Sequence, residues 1–201
     1  LKSEAGRQRA LDLVAGADAL VEGFRPGVME RLGLGPDACL RVNPRLVYGR
    51  MTGWGQDGPW AAKAGHDINY LALTGALACI GPAGGKPAVP LNLVADLGGG
   101  AMYLLAGLLS GLASAGSSGR GCVVDAAMVD GVLSLMTLFY GMRAAGQWSE
   151  QRESNRIDGG HPCYGVYETA EGGWLAVGAL EDKFYAEFLR ALALDAATLP
   201  D

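Results

Sequence analysis

The chain has 201 residues, half of them hydrophobic and 18% charged, with a formal net charge of −5. That length supports one or two domains with a substantial core, and that apolar content excludes a disordered chain. The acidic balance argues against a general nucleic-acid binder, which needs a basic surface, but leaves room for a small anion on a local basic patch.

In chain order, Ser3 is placed to cap a first helix with Ala10, Leu11, Leu13 and Val14 on its later turns. Residues 19–24 read as a strand, followed by a turn at Arg25, Pro26 and Gly27. A short helix at 28–32 and another opening on Pro36 lead to a strand at 46–51. This β-α-β alternation predicts helices on a mostly parallel sheet, an α/β fold. Residues 52–63 form a loop rich in glycine, although Trp54 and Trp60 are unusual in a solvated linker. A helical pattern then runs from Gly65 to Leu77, and 81–90 is a loop of glycines and prolines. Asp96 opens a long apolar helix to about Ala115, ended by a glycine- and serine-rich turn. Its most apolar part, 101–115, is too short for a comfortable membrane span and reads as a buried helix. Residues 122–126 make a short buried strand and 128–145 another apolar helix.

The composition changes near Gln147. Residues 147–163 are expected to link a large portion, 1–146, to the start of a smaller α+β domain at 164–201. There, strands at 164–169 and 174–178 flank a hairpin turn, and Asp182 to Leu192 is an amphipathic helix. The 32 glycines follow no period, and no internal repeat is visible. Cys39, Cys79, Cys122 and Cys163 form no CxxC pair, so free thiols in a reducing cytosol are expected, with Cys79 and Cys122 in the core. No signal peptide is visible, but the chain starts on Leu1 within a helical pattern. We therefore expect a preceding segment to be missing and, after Leu199, Pro200 and Asp201, a truncated second domain. A cytoplasmic location is expected if the source is bacterial.

Several residues could carry chemistry. His66, one of two histidines, begins a helix between Gly65 and Asp67, where unpaired N–H donors and the helix dipole gather. Imidazole is the usual general base near neutral pH, yet a capping or core histidine fits the same pattern. Asp96 lies between an apolar run and the triplet Gly98, Gly99 and Gly100. Each glycine costs about 1 kcal/mol relative to alanine in a helix interior, which close approach of a ligand or another helix would justify. Equally, Asp96 fits a simple N-cap. Glu181, between a strand and a helix, reads locally as a solvated acid, and Arg25, Arg31 and Arg50 sit near strand ends, where α/β folds bind ligands. His161 reads as structural. Neither GxGxxG nor a P-loop is present.

Together these segments resemble the family III CoA-transferases, the CaiB/BaiF-like superfamily, and within it the α-methylacyl-CoA racemases. The resemblance rests on 23–27 (GFRPG), 31–35 (RLGLG), 51–59 (MTGWGQDGP), 64–70 (AGHDINY), 90–96 (PLNLVAD) and 123–131 (VVDAAMVDG). It implies a Rossmann-like large domain lacking its N-terminal strand, in a fragment of an interlocked homodimer. It further implies racemisation at the α-carbon of 2-methylacyl-CoA thioesters in lipid and fatty acid metabolism. His66 and Asp96 would be the acid/base pair, His66 serving the S face and Asp96 the R face, with Glu181 of the partner subunit paired to the histidine. Lys2, Arg31, Asp67, Tyr70 and Asn92 would hold the acyl-CoA. No metal or other cofactor is implied, since coenzyme A is part of the substrate, and neither a nucleic acid nor a membrane is an expected partner. The alternative is a CoA-transferase working through an aspartyl-acyl anhydride on Asp96. Such transferases typically carry tyrosine where this chain has His66.

Overall fold

Three short strands, β1 (Ala19–Glu22), β2 (Val47–Thr52) and β3 (Cys122–Ala127), form a parallel sheet in that order. Ala19 stands opposite Val47, and Val47 opposite Cys122. The computed structural model describes residues 1–195, so the predicted chain end at Leu199, Pro200 and Asp201 lies outside the described residues. β2 is central and almost wholly buried, as expected for a parallel strand covered on both faces.

On one side, Val14, Met29, Leu34, Cys39, Leu46 and Tyr48 form a core beneath α1 (Glu4–Val14), α2 (Val28–Arg31) and α3 (Pro36–Val42). Ser3 caps α1 as its residue type predicts, its Oγ accepting from Gly6 N at 3.1 Å. The fully buried Tyr48 donates its hydroxyl to Leu34 O at 3.0 Å, which satisfies its polar end. A second core joins Tyr70, Leu71, Ala76, Ala95, Ala127, Val129 and Val132. It lies among α4 (Asp67–Leu73), a π-helix (Leu93–Met102) and α6 (Met128–Leu135).

Three predicted helices differ in the structure. The 65–77 pattern divides at Gly75, whose φ of 79° ends α4 before a 3₁₀ turn at Ala76–Cys79. The long apolar helix starts at Leu93 rather than Asp96 and winds as a π-helix for ten residues. It then continues as α5 (Tyr103–Ser118) to a left-handed cap at Gly119. By length and composition the 26-residue helix at Leu93–Ser118 is long and apolar enough to cross a membrane, so the expected shortness of this segment is corrected. In the structure α5 lies on β2 and β3, with Gly107 against Val124 and Gly111 against Val47. Finally, the expected helix over 128–145 breaks at Met136 into α6 and α7 (Thr137–Ala144).

The glycine triplet has a packing reason. A Cβ on Gly131 of α6 would sit 1.9 Å from Gly99 O, and one on Gly99 would sit 2.9 Å from Met128 O and Val132 N. The two helices therefore touch through bare backbone, and another helix, one of the two expected causes, accounts for the glycines.

The described chain divides into two compact units: Leu1–Leu77 with Pro90–Leu138, and Ala78–Val89 with the chain from Phe139 onward. In the second, β4 (Tyr164–Glu168) and β5 (Trp174–Gly178) pair as an antiparallel hairpin, followed by α8 (Asp182–Ala191). Arg152 pins the glycine- and proline-rich loop, donating to Ala78 O at 2.9 Å, Pro82 O at 3.1 Å and Gly85 O. The expected linker around it is itself tied. Asn155 is buried and exchanges hydrogen bonds with Ser149, at 2.8 and 3.0 Å. Among the described residues no disulfide forms, but the burial of the cysteines reverses the expectation: Cys39 and Cys163 are fully buried, whereas Cys79 and Cys122 are only partly so.

Candidate active site

The helix start at residue 66 is built by its own sequence. His66 is extended, with φ −134° and ψ 170°, and donates its backbone N–H to Asn69 Oδ1 at 2.9 Å, while Asn69 N donates to His66 O at 2.8 Å. The side chain three residues into the helix thus reaches back to satisfy the donor at its start. Aromatic rings wall this turn. Trp54 meets Trp60 edge-on at 4.8 Å and Tyr70 at 4.6 Å, which explains two tryptophans in a glycine-rich loop. Gly53 and Gly65 leave the room: a Cβ on Gly53 would lie 2.0 Å from the Tyr70 hydroxyl, and one on Gly65 2.8 Å from both rings. The His66 side chain itself stays exposed.

Asp67 joins this turn to the next helix. Its Oδ2 accepts from the backbone N–H groups of Ala95, at 2.8 Å, and Asp96, at 2.9 Å. These donors belong to the first turn of the π-helix, which would otherwise bury them without partners. The cap of that helix is therefore a carboxylate from another element, and the N-cap alternative for Asp96 is overturned. Asp96 lies inside the first turn, next to a chain reversal in which Leu91 adopts a left-handed φ of 60°. Leu97 N donates to Asn92 O at 3.3 Å, five residues back, the bond of π winding.

The Asp96 carboxyl, partly buried, is pushed above its ordinary range by desolvation, and the Asp67 charge adds to the rise. A hydrogen bond from the Asn92 side chain and the nearby His66 imidazole partly offset both. His66 and Asp96 are thus within electrostatic reach, with Asp67 and Asn92 fixing the aspartate. Burial, with Asp96 and Asp67 adding, also raises the Tyr70 phenol. A carboxylate made more basic beside an imidazole is a pair suited to exchanging protons with one carbon.

The remaining expected residues are either exposed or turned inward. Asp67 and Tyr70 are each 4% exposed, so their side chains face the protein interior. Arg31 is exposed at the end of α2, and Lys2 is exposed before α1. Glu181, exposed, stands at the N-terminus of α8 in the second unit. His161 Nδ1 accepts from Cys163 N at 3.2 Å, a structural role. Among the described residues no group of three or more His, Cys, Asp or Glu could hold a metal ion. Sequence reasoning missed Asp67 as the tie between the two helix starts. The contact spans 28 residues, and no local pattern marks it.

The sequence matches CoA-transferase family III over residues 1–201, and the chain belongs to that family. Within it the chain is similar to α-methylacyl-CoA racemases. It is 47% identical to that of Mus musculus, covering 94% of this chain and 49% of the mouse protein. It is 43% identical to that of Homo sapiens, covering 100% of this chain and 53% of the human one. CoA-transferases match at lower identity. Among solved structures, Rv3272 of M. tuberculosis has a TM-score of 0.73 at 30% identity, over 96% of this chain and 49% of that one. The chain spans about half the length of these relatives.

Proposed function

We propose that this chain carries the acid/base half-sites of an α-methylacyl-CoA racemase, His66 and Asp96 inverting the α-carbon of a 2-methylacyl-CoA. The observation that supports this reading most is the Asp67 tie. It brings the His66 and Asp96 helix starts together, where burial, with the Asp67 charge adding, raises the basicity of the aspartate. One group removes the C2 proton, the electron pair delocalises onto the thioester oxygen as an enolate, and the other group returns a proton to the opposite face. The roles exchange with the direction of reaction. Backbone N–H at the start of α4, near Asp67, would polarise the thioester oxygen. Lys2, Arg31 and Asn92 would hold the acyl-CoA, Asp67 and Tyr70 shaping its surroundings from inside. The reaction as written needs no cofactor beyond the CoA of the substrate. In a homodimer, Glu181 of the partner subunit would orient the imidazole.

The competing reaction is acyl transfer, with Asp96 attacking a thioester to form an anhydride and releasing CoA thiolate. The two separate in deuterated water with the full-length protein. Racemisation places deuterium at C2 of a 2-methylacyl-CoA as optical purity falls. An acyl adduct on Asp96, trapped by hydroxylamine, with no exchange at C2, would refute it.

A further inference from the structure

We propose that Arg50 is a positioning residue that holds the β1–α2 turn so that Arg31 can meet the phosphates of CoA. This rests on the reading above that Arg31 holds the acyl-CoA. Arg50 sits on the central strand, only 7% exposed. Its Nε lies 3.2 Å from Glu22 Oε1 at the end of β1, and a terminal nitrogen 3.0 Å from Glu30 Oε1 on α2. The forked guanidinium therefore grips both ends of the segment 22–30, which a lysine ammonium cannot do with the same geometry. Glu22 spends its other oxygen on Phe24 N at 2.7 Å, closing the turn from within. The Glu30 stem lies over Gly35, where a Cβ would meet its Cγ at 2.8 Å.

Arg31 follows directly on this clamp. Its guanidinium folds back over Gly27, in the left-handed region with φ 78°, where a Cβ would be 3.0 Å from a terminal nitrogen. Two carboxylates cancel more than the charge of Arg50, and the exposed Arg25 and Arg31 supply the outward positive charge of the turn. The turn also leaves the C-terminal end of β1, the edge at which open α/β sheets take ligands. A buried ion pair is weak evidence of stabilisation by itself, because desolvation offsets its attraction. Here Arg50 and Glu22, with the half-exposed Glu30, fix the frame of an exposed cation.

The test compares Glu30→Gln and Arg50→Lys, which keep size or charge, with Arg31→Ala in the full-length protein. Each is assayed with a 2-methylacyl-CoA and with the same acyl group on N-acetylcysteamine, which lacks every phosphate. The expected result is a rise in KM on the order of tenfold for the CoA thioester in all three variants, with kcat and the truncated substrate unchanged in Glu30→Gln and Arg50→Lys. Glu30→Gln added to Arg31→Ala should raise KM no further, because both act through one contact. Equal losses on both substrates would make the clamp purely structural and overturn the proposal, as would no change on either. If Arg31→Ala leaves the KM for the CoA thioester unchanged, the reading of Arg31 itself falls, whatever Arg50 does.

Discussion

The parallel sheet and the hairpin treat their apolar residues in opposite ways. In β2, Val47 and Tyr48 are wholly buried, with α5 packed on Gly49 and the α1–α3 core around Tyr48. In the hairpin, Val166 is 66% exposed, Trp174 71% and Leu175 50%. A two-stranded hairpin is marginal in water, and strands this apolar usually find a cover. The difference separates the candidate site as well. His66, Asp67, Asn92 and Asp96 are fixed by bonds within the first unit, whereas Glu181 begins an exposed helix of the second.

Four experiments press on that contrast. The largest effect is expected at Asp96. Asp96→Asn should lower racemisation in the full-length protein by about 10²–10⁴-fold, the usual contribution of a general acid–base group. Stability should move the other way. Folding raises this carboxyl, so its ionised form opposes folding, a penalty absent below the unfolded pKa and complete once pH exceeds the folded one. The variant should therefore be as stable as wild type or more so at pH 7, the difference closing as pH falls to about 4. Chemical denaturation at the two pH values decides it; a variant weaker at pH 7 makes Asp96 structural.

Next comes the backbone contact between the π-helix and α6. Gly131→Ala should destabilise by about 1–3 kcal/mol or more, because the obstacle is a carbonyl rather than a movable side chain. Gly141→Ala in α7, with nothing within 4 Å, should instead stabilise by about 0.4–1 kcal/mol. Thermal melts that rank the two equally would remove the contact as a cause.

Asp67→Asn should cost about 0.5–2 kcal/mol through the weakened cap on Ala95 and Asp96. It should also slow exchange from the Asp96 face more than from the His66 face, which deuterium incorporation into each enantiomer reports. Equal slowing would deny the tie its directional role. The smallest effect is expected in the hairpin, where Trp174→Ser should change the stability of the 201-residue chain by less than about 0.5 kcal/mol. A clearly larger loss in the full-length protein would show that the strand is covered there.

The elements legible in the sequence were those whose causes are local. Ser3 before α1, Pro36 at the first turn of α3 and Gly172 in the hairpin each act within a few residues, and the strands fell within two residues of expectation. His66 stood out by rarity and Asp96 by its glycine triplet, but their pairing came only from the family resemblance. What stayed hidden is set by distance along the chain. The Asp67 cap, the Gly99–Gly131 contact and the Arg50 clamp join residues 20 or more apart, or depend on which strand becomes central. π winding was equally invisible, since its apolar pattern differs little from that of an α-helix over ten residues. The break at Met136 carries neither proline nor glycine to announce it.

The 26-residue helix at Leu93–Ser118 also sets a schedule for synthesis. Its resting place includes β3, which is made after it. At roughly 5–20 residues per second, the stretch from Ser118 to Ala127 takes on the order of a second to appear. During that interval a helix of membrane-spanning length has been made and its docking strand has not. Residues 103–118 thus have no complete seat until β3 pairs with β2 beneath α5.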